Sequence, residues 1–261
     1  MANTPYENFV LANEVEDQYN SHLDLMRFCT IDNSLVGTAG MKKIVHVYSA
    51  TNGTEKLAQG QGNSKDISAS FVEKEYEILL AQNRFPYFDE EAMKDPLVVQ
   101  TGTRHAGVDL YNTVQADIYE AFKDATLETT PSAYNFDAFV DAVAKLNIEQ
   151  PEGVEIFGFV AQDDMAAIRK SLKETLQYVE AFARQGYVGT VAGVNLYVKN
   201  DATAGEIVIG TKAAVTLFNK KGTEVEQERD GNTRKNTVYS RKYYFAALTD
   251  ATKAVRIKKT A

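Results

Sequence analysis

A single cysteine, Cys29, leaves the 261-residue chain with no possible intrachain disulfide. Three scattered histidines, His22, His46 and His105, cannot form a standard zinc cluster with it. No apolar run approaches the roughly 18 residues that a membrane-spanning helix needs. The opening residues lack a basic and then an apolar region, so no secretory signal is read there. Basic charge is also short: 28 Lys and Arg against 36 Asp and Glu give −8. Coating nucleic acid by charge neutralisation needs the opposite balance. What is present is ordinary for a packed chain, 44% apolar and 25% charged, which argues against wholesale disorder.

The charge is uneven along the chain. Residues 1–20 carry Glu7, Glu14, Glu16 and Asp17 and no base; residues 252–261 carry Lys253, Arg256, Lys258 and Lys259 and no acid. Ends of opposite sign are either two solvated tails or segments that meet other surfaces, such as those of neighbouring subunits.

Residues 1–35 read as an arm. Val15, Tyr19, His22 or Leu23, and Met26 recur at helical spacing between Asn13 and Phe28, a stripe too short to bury itself. Residues 43–48 are strongly β-forming, and 67–81 form a second extended run. The excursion between them, 49–65, holds Gly53, Gly60, Gly62 and an Asn52-Gly53 turn signal, with almost no large apolar side chain. A hairpin so long and polar either stands in solvent or lies on another chain.

Residues 83–100 read as an ordered connection. Ala106, Leu110, Val114, Ile118 and Phe122 fall at every fourth position, predicting a helix over 103–125 with one apolar edge. A short amphipathic helix follows at 136–146, then a buried strand at 154–161. Asp163 and Asp164 open a helix running through Met165, Ile168, Leu172, Leu176, Val179 and Phe182 to about Gly186. A glycine turn at 189–193 leads into a strand at 194–198. Residues 206–261 are mostly extended, with a turn at 230–232 before the longest strand.

Motifs that would carry chemistry fail on inspection. Residues 205–212 mimic a phosphate loop, but Thr211 interrupts the required Gly-Lys and Ala213 stands where a magnesium-binding hydroxyl belongs. Gly60 and Gly62 begin a Gly-x-Gly that Lys65 breaks. No Gly-x-Ser-x-Gly elbow occurs. Cys29 reads as a small buried hydrophobe. Asp89-Glu90-Glu91 reads as a solvated turn and Asp163-Asp164 as a helix N-terminus, since adjacent carboxylates point apart. Asn52-Gly53-Thr54 fits the glycosylation pattern without a signal peptide to deliver it. The 14 tyrosines are not interleaved with a basic stripe, so they do not form a base-stacking platform. No catalytic residue, cofactor site or metal site emerges. The elements look incomplete alone and make sense against neighbours.

Their order resembles the major capsid proteins of tailed bacteriophages with the Hong Kong 97-type capsid fold, over nearly the whole chain. Residues 47–62 resemble the extended loop and 103–119 the spine helix. Residues 159–170 with 186–200 resemble the axial-domain helix, glycine turn and strand, and 225–230 with 243–255 the returning peripheral strands. The resemblance implies an α+β fold partitioned into an N-terminal arm (1–35), an extended loop hairpin (36–82), a peripheral domain with the spine helix (83–131 and 220–261) and an axial domain (132–219).

It further implies a non-enzymatic structural role. Copies self-assemble through hexamers and pentamers into an icosahedral shell around the double-stranded DNA genome, in the virion, after assembly in the host cytoplasm. DNA is enclosed without sequence-specific binding, and no membrane takes part. Some family members carry a long helical scaffolding preface; none is read here, so any scaffold is expected to be a separate protein, alongside possible portal and decoration proteins. Some members crosslink loop lysines to neighbours; Lys56 and Lys65 are read as solvated and the crosslink is not carried over. Expected inter-subunit contacts are Asn52, Gly53, Lys56, Leu57, Gly60 and Gly62 in the loop and Tyr19 and Met26 in the arm. The alternatives are an encapsulin-type nanocompartment shell enclosing cargo enzymes and, from another class, a soluble α/β enzyme built on 132–219.

Overall fold

The computed structural model describes residues 23–51, 53–146, 148, 154–172 and 189–260. The described strands are β1 (Thr30–Asp32), β2 (Lys42–Ala50), β3 (Ala69–Glu77), β4 (Leu79–Phe88), β5 (Leu127–Thr129), β6 (Ile156–Val160), β7 (Thr190–Val191), β8 (Val194–Val198), β9 (Glu206–Thr211), β10 (Val215–Asp230), β11 (Lys235–Leu248) and β12 (Ala254–Lys258). The described α-helices are α1 (Asp89–Lys94), α2 (Pro96–Lys123), α3 (Phe136–Ala144) and α4 (Gln162–Ser171).

Among the described residues three sheets result: β1-β10-β11-β4, β5-β12-β9-β6-β8-β7 and the separate pair β2-β3. The six-stranded sheet separates two cores. On one face Phe157 and Phe159 of β6 meet Phe122 of α2 at ring distances of 5.6 and 5.5 Å, and Phe28 at 4.7 and 5.4 Å. On the other face Ile156, Val160, Ile207 and Ile209 pack with Phe139 of α3 and Met165 and Ile168 of α4. Pleat alternation in β6 thus feeds both layers, which explains its unbroken apolar run.

The apolar edge predicted for the long helix is as expected. Ala106, Leu110, Val114, Ile118 and Phe122 are all buried. The helix starts seven residues earlier than the stripe suggested, because Asp95 caps it, accepting from the Leu97 N–H at 2.9 Å, and Pro96 takes the first helical position. The neighbouring 83–100 connection is therefore β4, α1 and the first turns of α2.

Four other expectations change. The extended run 67–81 is two strands in different sheets: Ile78, 3% exposed, marks the break and gives its N–H to Met41 O at 2.7 Å. The chain from 215 to 230 is one strand with bulges between Asn219 and Lys221 and between Lys221 and Glu224; at 16 residues it is longer than β11, so the 230–232 turn follows the longest strand. Asp89-Glu90-Glu91 is not a solvated turn but the first turn of α1, where Asp89 meets Arg229 at 2.7 Å, Glu90 meets Arg234 at 2.9 Å and Glu91 accepts from Phe88 N–H at 3.1 Å. The basic C-terminal segment is no solvated tail: β12 lies between β9 and β5, with Arg256 paired to Glu206 and Glu128 and Lys258 to Glu128.

Residues 205–212 are largely the fully buried strand β9, which disposes of the phosphate-loop likeness. Asp164 stands at the start of α4 as expected and accepts the Gly205 N–H at 2.7 Å, tying that helix to β9. Cys29 is buried, and burial pushes its thiol up to about 11, in keeping with a packing role. The arm helix is described only from residue 23 on, where Leu25–Phe28 form one 3-10 turn; the rest of that expectation, and α4 beyond Leu172, lie outside the described residues.

Candidate functional site: the projecting hairpin

β2 and β3 pair antiparallel from Lys42↔Glu77 to Ala50↔Ala69. At about 3.4 Å per residue this ribbon runs about 30 Å, and among the described residues no third strand joins it. Beyond it, short-range bonds shape residues 51–68. Thr51 N–H donates to Ser68 O at 3.0 Å, and Thr51 Oγ1 accepts from Ser68 N–H at 2.9 Å. Glu55 accepts from the Ser64 N–H at 2.9 Å and its hydroxyl at 3.0 Å, while Asn63 Nδ2 donates to Gly53 O at 3.1 Å. Gly60 takes φ +85°, the left-handed region that glycine enters without strain, and the Gln61 N–H closes the turn on Ala58 O. The described part of the excursion is a loop held by its own hydrogen bonds.

Several of its described apolar side chains are exposed. Ile44 (53%), Leu57 (48%), Ile67 (67%) and Phe71 (58%) are exposed, as are Val36 and Met41 at the base. Sequence reading undervalued Ile44, Ile67 and Phe71 because period-two alternation puts some apolar residue on each face of any strand. Nothing local says which face stays uncovered.

The base is braced to the body. Tyr76 stacks on Phe218 at 5.6 Å and leans on Phe245 at 5.7 Å. Lys220 Nζ donates to the carbonyls of Leu35 and Thr38, and Lys43 Nζ donates to Ser34 Oγ at 2.7 Å. A second brace holds the end of the arm. The buried Gln115 of α2 accepts the Leu25 N–H at 2.5 Å, and its Nε2 donates to Asp24 at 3.2 Å. Lys220 and Gln115 gave no signal in the sequence, since a lone polar residue in an otherwise regular element reads as solvated.

The expected contact residues divide. Lys56, Leu57, Gly60 and Gly62 lie exposed together on the hairpin loop. Gly53 is buried in the same loop, where an added Cβ would stand 2.6 Å from Ile67 Cγ1. Met26 is half-buried against its own subunit's core. Asn52 and Tyr19 lie outside the described residues. Among the described residues no group of three or more His, Cys, Asp or Glu side chains could hold a metal ion, and no helix is long and apolar enough to cross a membrane.

A long helix under a sheet of extended hairpins, an α/β block with its own two-sided core and a detached two-stranded ribbon define the Hong Kong 97-type capsid fold. The solved structures agree. The chain matches a structure of Mycobacterium phage Che8 at TM-score 0.69, with 18% identity, over 87% of this chain and 88% of that one. It matches the capsid of a native GTA particle at TM-score 0.70, with 13% identity, over 91% and 90%. In sequence it is 26% identical over 260 residues to the major capsid protein of Staphylococcus phage phiMR11, covering 96% of this chain and 92% of that protein. No family model matches the chain.

Proposed function

We propose that this protein is the major capsid protein of a tailed phage, a structural subunit that self-assembles into the icosahedral shell of the virion. The observation that carries the reading is the hairpin, an ordered projection that leaves Ile44, Leu57 and Ile67 about half or more exposed, with no third strand joining it among the described residues. Such surface is unusual on a protein that works as a monomer and typical of one that works in contact with others. The sequence relative, a phage major capsid protein, supports a genome shell over an encapsulin-type compartment for cargo enzymes.

In this reading the hairpin, through Lys56, Leu57, Gly60 and Gly62, lies over an adjacent subunit, and the arm, residues 1–35, runs beneath or beside another. The hairpin (36–82), peripheral (83–131 and 220–261) and axial (132–219) regions are the units that meet within hexamers and pentamers. The net charge of −8 suits a shell that encloses double-stranded DNA without gripping it. Assembly takes place in the host cytoplasm, with a scaffolding protein, a portal and a decoration protein as candidate partners. No residue is assigned a catalytic role.

The test is negative-stain microscopy of the expressed full chain beside a variant lacking residues 52–62. Shells are expected from the first, and folded subunits without stable shells from the second. Monodisperse wild-type monomers would remove the shell reading; normal shells from the deletion would remove the hairpin from it.

A further inference from the structure

The six-stranded sheet has α2 on one face and the layer of α3 and α4 on the other, so among the described residues the outward side of that layer is open. α3 is capped by Asn135, which accepts from Ala138 N–H at 3.0 Å, and buries Ala138, Phe139 and Ala142 against its own subunit. Its other side is not the polar face an amphipathic helix normally offers water. Phe136 is 51% exposed and Val140, one turn on, is 43% exposed. Asp137 and Asp141 run alongside with the same four-residue spacing, and neither has an ion-pair partner among the described residues.

The chain carries an answering surface. Arg169 and Lys170 lie exposed in the last turn of α4, also without ion-pair partners among the described residues. Ala166, exposed one turn earlier, leaves room beside them for a ring.

We propose that α3 is a contact between copies of this chain: the Phe136–Val140 stripe of one copy docks beside Ala166 of another, with Asp137 and Asp141 facing Arg169 and Lys170. The inference rests on the shell reading and names one surface that serves it. Charge selects the occupant. A copy that turned its own α3 to meet α3 would set Asp137 and Asp141 against themselves, so a two-fold contact of α3 on α3 is disfavoured. A head-to-tail contact sets acid against base, and head-to-tail contacts close into rings, the geometry capsomers require. It also places the aromatic ring at the centre of a charged rim, where a buried aromatic contributes most.

Four variants of the full chain test this by sedimentation velocity and negative-stain microscopy, with thermal melts as the check on folding. F136S/V140S is expected to lower the assembled fraction by about tenfold or more while leaving the melt of the free subunit unchanged, since both side chains are on the open face. D137K/D141K and R169E/K170E should each assemble poorly, and the combination of all four charge reversals should regain shells. Wild-type levels of shells from F136S/V140S overturn the contact. Poor assembly of the four-fold reversal, with a normal melt, overturns α4 as its occupant. If the wild-type chain forms no shells at all, the shell reading falls and this contact with it; shells from every variant remove the contact alone.

Discussion

Alanine at Gly102 and alanine at Gly107 should move stability in opposite directions, although both sit in the N-terminal half of α2. A Cβ added at Gly102 would stand 2.1 Å from Phe85 Cζ and 2.4 Å from both Cε atoms, well inside van der Waals contact. The ring cannot swing aside freely, because it stacks on Tyr87 at 5.8 Å. Alanine gains about 1 kcal/mol over glycine in a helix interior, whereas forcing atoms into an occupied space costs about 1–3 kcal/mol. The net expectation for Gly102→Ala is a loss of up to about 2 kcal/mol. Gly107 is exposed and has no atom within 4 Å of the added Cβ, so Gly107→Ala should gain about 0.5–1 kcal/mol. Urea unfolding of the soluble subunit, followed by circular dichroism, reads both as midpoint shifts at constant slope. In a Phe85→Leu background the penalty at Gly102 should shrink or vanish. Equal stabilisation by both alanines in the wild-type background would refute the close approach of β4 to α2.

Replacing Gln115 by methionine keeps the volume but strands the buried Leu25 N–H, so a loss of about 1–3 kcal/mol is expected from the same unfolding assay; an unchanged midpoint would mean the arm is not held there. At Asp89, hydrogen bonds from Arg229 and then Asn236 hold the carboxyl below its usual range. A lowered folded value means the contribution is present above the unfolded value, about 3.9, and is lost as pH falls through the still lower folded value. Asp89→Asn should therefore melt below the wild type at pH 7, with the gap closing under acid; a gap independent of pH contradicts the linkage.

The sequence made the interior legible and the junctions obscure. Five residues at every fourth position predicted which edge of α2 is buried, because burial against a flat sheet selects one helical stripe. The first seven residues of that helix escaped notice because Val98, Val99 and Thr101 are β-branched and Gly102 is a poor helix former; the telling signal was the cap, Asp95-Pro96. Ile67 to Ala81 read as one strand because alternation continues through Ile78 while the hydrogen-bonding partner changes from β2 to β11. Pairing between distant segments leaves no mark on local periodicity. For the same reason β12 read as a basic tail: Glu128 and Glu206, which neutralise it, lie far away in sequence. The hairpin loop was legible as a projection, since glycine and polar residues alone cannot build a core. Which of its residues stay uncovered depended on the whole body beneath it.

Apolar surface is divided unevenly between the body of the subunit and the hairpin. Among the described residues, the two cores flanking the six-stranded sheet hold nearly all of the large buried side chains. The hairpin has only a minor core at its base, Ile78 with Phe218 and Ala247. Ile44, Leu57, Ile67 and Phe71 are each about half exposed, so covering one yields on the order of 1 kcal/mol. Four such gains, about 4 kcal/mol together, reach only the low end of the roughly 4–15 kcal/mol lost when two free bodies become one. A single hairpin contact therefore holds a pair of subunits only weakly. Once one contact in a ring is made, the next closes at high effective concentration and meets little of that cost again. On the shell reading, assembly is then a threshold process, with free subunits and complete particles at equilibrium and few pairs between. Removing a single hairpin side chain should raise the threshold concentration rather than weaken the finished particle in proportion.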